Sequence, residues 1–358
     1  MKIILLLIIS SFILQALDYG YYKVNLNYIK CQTTIRDLRR QLAFLGHKKL
    51  DNLFTLFPFV WSYLLITAAI LLSAKIDNNI INIAIMMFVT GRFRTLQEAG
   101  HFAVHGVLSK NIKYGLFVAN IFYQFPAFMP ESSLRRETHV RQHHNSVNMP
   151  HDPDLKELTD KGFFPGITIF EFWCGVFYPL TTKGIKNRII ECFFNIFTNR
   201  NNVNFFIRIF VVIAIIALFM HYHLYKQLIL FYIIPVFVTY PLFYWMAHIS
   251  LHRWFEDCST NIDYDDRELI LGRPTEFSGV VGFFVRNNIF PLGDSYHLAH
   301  SLFPTVRWTH LPQVDKILKI HFPEYSKNIN YGLFFSSKHE KSIIQSLKLT
   351  LTKNIPNS

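Results

Sequence analysis

The chain has 358 residues and a formal net charge of +12, from 36 Lys and Arg against 24 Asp and Glu. Hydrophobic residues make up 51% and charged residues only 17%, against about 25% charged in an ordinary soluble protein. This balance argues against a nucleic-acid-binding protein, because basic residues that flank apolar blocks serve membrane orientation and anionic lipid headgroups.

In chain order, Ile3–Leu17 is almost wholly apolar and follows a single Lys. It reads as a signal-like segment, a short span or an interfacial anchor. SSFILQALDYG is a poor cleavage site, which favours a retained anchor. Asp18–Asn52 then carries Lys23, Lys30, Arg36, Arg39, Arg40, Lys48 and Lys49. Leu53–Ala74 is uncharged and long enough to span, since a membrane helix needs about 20 apolar residues. After the break KIDNN, Ile80–Thr90 predicts a second helix that continues through GRFRTLQEAG to His105. Tyr114–Met129 and Phe163–Leu180, interrupted by Pro126, Pro165 and Gly166, read as interfacial or re-entrant helices. Val203–His221 (containing Arg208) and Leu228–Ala247 predict a second hairpin around HYHLYKQ.

The two hairpin loops are nearly neutral, whereas the long segments Asp18–Asn52, Arg92–Arg200 and the stretch after Arg253 are basic. The positive-inside rule places those segments in the cytoplasm. The expected fold is an all-α integral membrane protein with about four transmembrane helices in two hairpins, and a cytoplasmic cap. No internal repeat or linker is evident, and Lys338–Ser358 reads as a polar tail. Cys31, Cys174, Cys192 and Cys258 form no C-x-x-C pair and read as buried thiols.

The 16 histidines would give roughly one i,i+4 pair by chance. Three occur: His101/His105 in HFAVH, His139/His143 in HVRQHH (with His144 following) and His248/His252 in HISLH. His297/His300 in HLAH adds an i,i+3 pair. On a helix these spacings bring two imidazoles to one face. Imidazole suits zinc, copper, iron and nickel, and eight or nine such ligands fit two metal ions better than one. The predicted topology puts every cluster on the cytoplasmic face, so that they form one histidine-rich dimetal site.

HFAVHG, RRETHVRQHHNSVNMPHDPDL and SYHLAHSLFPTVRWTHLP together resemble the three histidine boxes of the membrane fatty acid desaturase family, which includes related hydroxylases. Their order, their spacing and the intervening hairpin follow the family pattern over roughly Leu53–Ile320. The resemblance implies two iron ions, O₂ as co-substrate and oxidation of an acyl chain. It implies the ligands His101, His105, His139, His143, His144, His297 and His300, with His248 or His252 added from before the third box. Residues 1–52 are then an N-terminal apolar anchor and basic segment, 53–322 a desaturase-like membrane domain, and 323–358 a C-terminal tail. Glu98, Asp154 and Asp294 are expected to orient imidazoles, as is Asp152 beside the loop residue His151. His221 and His223 are expected to be inert on the opposite face, and His310 and His321 to face the surface or lipid.

One departure stands out. Ser301 occupies the place where the family's third box carries another histidine, and serine is a poor iron ligand at neutral pH. Either both His248 and His252 bind, or a water completes the shell, or one metal is weakly held, or the chain is an inactive relative. No cytochrome motif or dinucleotide fingerprint is present, so electrons must come from an external donor. An acidic ferredoxin or cytochrome b5 type carrier suits the basic face. The rival outcomes are hydroxylation of an acyl, lipid or carotenoid substrate, and a non-catalytic or metal-transporting membrane protein. A transporter should carry ionisable residues at mid-bilayer depth, and Leu53–Ala74 and Leu228–Ala247 carry none.

Overall fold

In the computed structural model, which describes residues 1–26, 29, 34–198, 202–256, 262–336 and 340–352, the N-terminal apolar stretch is one helix, Lys2–Tyr22. Its 21 residues are enough to cross a membrane unaided, so it is longer than the expected anchor. It packs along the helix Asp51–Ser73, where the Ser11 hydroxyl donates to the Trp61 carbonyl at 3.1 Å. Among the described residues, four helices are long and apolar enough to span: Lys2–Tyr22, Asp51–Ser73, Val203–His221 and Tyr225–His248. This set differs from the expected one. It gains the N-terminal helix and lacks Asn79–Val104, a single 26-residue helix whose second half carries Arg92, Arg94 and Glu98. That helix does run through to the first histidine box as expected. Asn78 caps its start, and Ser73 donates to Asn82 at 2.7 Å to close the hairpin.

These helices belong to a first compact unit made of Met1–Tyr22, His47–Arg135 and Pro179–Tyr244. Tyr114–Met129 forms the helix Ile112–Ala119 and a π-turn, Asn120–Gln124. Its later residues Tyr123, Phe125 and Ala127 are buried in the unit's core, not laid on a surface. Arg188 and Asn195, on the helix Thr182–Phe197, donate to the carbonyls of Ala127 and Phe128 at 2.6 and 3.0 Å. That helix turns Ile190, Phe193, Phe194 and Phe197 outward. Val203–His221 exposes Phe206, Phe210, Ile213 and Leu218. Large apolar side chains in such number need an apolar surrounding.

The second unit comprises Lys23–Gly46, Arg136–Tyr178 and Trp245–Ser358. It is mostly short helices, with one departure from an all-α fold: Thr275–Glu276 pairs in parallel with Asn330–Tyr331. Within Phe163–Leu180, the helix Ile169–Val176 exposes Ile169 and Phe170, as an interfacial helix should. The expected polar tail contains a capped helix, Ile343–Leu351, whose Ile343, Leu347 and Leu351 are buried. Cys192 is buried but Cys174 is exposed, contrary to expectation; Cys31 and Cys258 lie outside the described residues. His310 is also buried, not lipid-facing, because the turn from Arg307 tucks it under the start of the helix Leu311–His321. His221 and His223 are exposed.

Gly272 allows a close approach to the third histidine box in this unit. A Cβ there would collide with the Leu298 side chain and meet the Glu268 carbonyl oxygen at 2.5 Å. The backbone of Gly272 pairs with His252, and Leu298 lies in the third histidine box. Gly272→Ala is therefore expected to cost about 1–3 kcal/mol through overpacking. A lowered apparent melting temperature of the purified protein checks this, and an unchanged one would show that the two segments slide apart freely.

Candidate metal centre

In the first unit, steps of three and four residues along Asn79–Val104 bring Arg94, Gln97, Glu98, His101 and His105 onto one buried helix face. The Nε2 atoms of His101 and His105 are 3.1 Å apart. Two nitrogens bound at right angles to one ion at 2.0–2.1 Å would stand about 3 Å apart. His101 Nδ1 meets Glu98 Oε2 at 2.9 Å, and Arg94 donates to Glu98 Oε1 at 2.9 Å. Arg94 also donates to Gln97, which accepts from the Tyr240 hydroxyl at 2.8 Å; Tyr240 meets the Tyr123 hydroxyl at 2.5 Å. This polar chain fixes the orientation of His101 from behind. Gly100 leaves room for the Tyr123 ring, which a Cβ would meet at 2.9 Å.

In the second unit, Arg136–His143 is π-helical. Bonding from i to i+5 turns residues four and five apart toward one another. The rings of His143 and His144 accordingly lie 5.2 and 4.8 Å from that of His139. His139, His144 and His300 each present a ligand atom within 4.8 Å of the other two. His143 Nδ1 meets Asp152 Oδ1 at 2.9 Å, and Asp154 Oδ2 lies 3.4 Å away. Asp152 is held in turn by the backbone amides of Asn148 and Asp154, at 2.8 and 2.9 Å, as the cap of the helix Pro153–Asp160. His252 Nε2 is 3.2 Å from His297 Nε2, and the His252 ring lies 5.3 Å from that of His143. Asp294 stands 3.7 Å from His297 Nδ1.

The electrostatics of this unit separate its histidines. Burial works against protonation of His143, but Asp154 and Asp152 outweigh it and hold the ring up at about 9. His252 goes the other way: burial, then the charges of His297 and His143, pushes it well below the ordinary histidine value. Burial pushes the Glu268 carboxyl up.

The side chains present fit a metal. His143 Nε2 and His252 Nδ1 are buried with no hydrogen-bond partner among the described residues, an arrangement that costs free energy in a metal-free protein. The imidazole pairs stand at ligand spacing, and carboxylates hold the far nitrogens of His101 and His143, as in metal sites generally.

Residues 78–332 match the fatty acid desaturase family, which is more than half of the chain. The chain belongs to the fatty acid desaturase family. A further relative is the dihydrorhizobitoxine desaturase of Bradyrhizobium elkanii, 24% identical over 338 residues that cover 87% of this chain and 88% of that protein. The family points to an oxidoreductase of the oxygen-dependent desaturase and hydroxylase type, and to a fatty acyl substrate.

The chain carries the predicted histidines in two sets. His101 and His105 face each other in the first unit, while His139, His143, His144, His252, His297 and His300 gather in the second. His248 is placed differently from His252. Its ring stacks on Trp245 at 5.7 Å and its Nε2 lies 3.7 Å from Glu157. Of the expected orienting carboxylates, Glu98 and Asp152 make the closest contacts, both at 2.9 Å, and Asp152 stands nearer His143 than Asp154 does. Sequence reasoning missed Arg94, Gln97, Tyr240 and Glu268. For Arg94 a signal was present: a charge in an apolar helix, seven residues before His101, shares its face. Nothing in the sequence pairs Glu268 with the third box.

Proposed function

We propose that this chain is a membrane-bound, di-iron, O₂-dependent desaturase of an acyl chain, with the histidines of its boxes as the iron ligands. The reading rests on one observation above all: imidazole pairs at about 3 Å, buried and backed by carboxylates, in a chain of this family. When bound, two irons supply the activation of O₂ that removes two hydrogens, O₂ leaving as two waters with two external electrons and two protons. Within the chain, Glu98 and Asp152 fix the far nitrogens of His101 and His143, so that Nε2 of each presents its lone pair. The Arg94, Gln97, Tyr240 and Tyr123 chain keeps Glu98 aimed at His101, and burial of the set excludes water. The exposed apolar helices seat the enzyme in the bilayer, from which an acyl substrate enters directly. The basic segments lie on the cytoplasmic side and receive an acidic ferredoxin or cytochrome b5 type donor.

The relative's name describes desaturation of dihydrorhizobitoxine, which favours desaturation over hydroxylation and leaves a non-lipid substrate as a second reading. Expression in a host that supplies electrons, followed by mass spectrometry of total lipids and small metabolites, tests both. Desaturation predicts acyl species about two mass units lighter, whereas hydroxylation predicts species about sixteen heavier. An unchanged lipid profile with a lighter small metabolite would shift the substrate away from acyl chains. No change in either pool, with iron bound, would overturn the activity.

A further inference from the structure

Ser301 occupies the third-box position where the family pattern carries a histidine, and it is completely buried. Its hydroxyl donates to Glu268 Oε2 at 2.5 Å. Glu268, on the helix Tyr264–Leu271, is also completely buried. Its other oxygen, Oε1, is buried with no hydrogen-bond partner among the described residues. A buried carboxylate is costly unless it is paired or bound to a metal, and here one oxygen is held while the other is left open. The groups that sense its charge include His143 and His297, both expected iron ligands. The placement is well anchored: the Tyr264 hydroxyl donates to the Ser301 carbonyl at 2.9 Å, and the Gly272 amide to the Glu268 carbonyl at 2.7 Å. Glu268 is therefore held to the third box by its own bond to Ser301 and by Tyr264 at the start of its helix.

We propose that Glu268 supplies, through Oε1, the iron ligand that Ser301 cannot, with the Ser301 hydroxyl orienting the carboxylate. The inference rests on the di-iron reading above. It makes one of the two irons a mixed imidazole and carboxylate site, a ligand set that iron accepts readily. A carboxylate gives that iron a harder and more anionic surrounding than a histidine would. Serine at the third-box position is then one half of a paired exchange, and the chain is not an inactive relative.

The test uses the full-length protein purified in detergent, with iron counted by elemental analysis and its coordination followed by Mössbauer spectroscopy. Glu268→Gln keeps the size of the side chain and its bond to Ser301 but removes the anionic oxygen. The expected result is that the variant holds one iron as the native chain does and binds the second at least about tenfold more weakly. The double variant Glu268→Gln with Ser301→His restores the usual third box and should recover the second iron, with a Mössbauer signal changed from the native one. Such recovery would not follow from a merely structural role or from misfolding. If the native chain holds two irons and Glu268→Gln keeps both, with unchanged affinity and spectrum, Glu268 is not a ligand while the di-iron reading stands. A native chain that takes up no iron overturns both together.

Discussion

Arg94→Ala is expected to lower stability by about 3–5 kcal/mol, the range for a buried ion pair that loses one partner. Arg94 and Glu98 are both almost wholly inaccessible, with their charges 2.9 Å apart. Removing the guanidinium leaves the Glu98 carboxylate buried without its closest counter-charge. It also takes a donor from Gln97, which otherwise links the pair to Tyr240. In a chain of this size the loss should lower the apparent melting temperature by on the order of 10 °C. Glu98→Gln removes the charge but keeps a hydrogen-bonding side chain, so it should cost less stability and act mainly on metal affinity. Equal melting temperatures for the native chain and Arg94→Ala would show that the polar chain behind His101 is not a structural element.

The second large effect concerns His143 and His144. Changing both to alanine removes two adjacent imidazoles from the π-helical turn and leaves Asp152 still engaged as a helix cap. The fold should survive because Asp152 keeps its two backbone donors. Metal loading and activity should fall together, by more than the roughly 10–100-fold that loss of an outer partner causes. A fully loaded double variant would remove these two residues from the ligand set.

Much of this was legible in the sequence because the signals are periodic. Spacings of four and three residues set the pairs His101/His105 and His297/His300 apart from chance, and uncharged runs marked Leu53–Ala74 and Leu228–Ala247. The N-terminal stretch was harder to read: Asp18 and the tyrosines after it look like the end of an apolar segment, yet the helix continues to Tyr22. The helix Asn79–Val104 was read as a continuous element, but its second half is held by polar contacts rather than by hydropathy. The C-terminal helix Ile343–Leu351 was hidden because its apolar residues are sparse among Lys and Thr, and only packing shows which face is inside. Burial of His310 and the pairing of Glu268 with Ser301 depend on contacts between segments distant in sequence. No periodic pattern carries such information. The choice between His248 and His252 is of the same kind: both share one spacing, and the neighbours that tell them apart are Trp245 and Glu157 on one side and His297 on the other.

Metal analysis of the purified native protein, set beside the His143→Ala/His144→Ala variant, addresses the central claim most directly. The account predicts about two irons per native chain, in line with a ligand set too large for one ion, and a large deficit in the variant. A native protein that holds a single metal ion, or that takes up zinc in preference to iron, would contradict it.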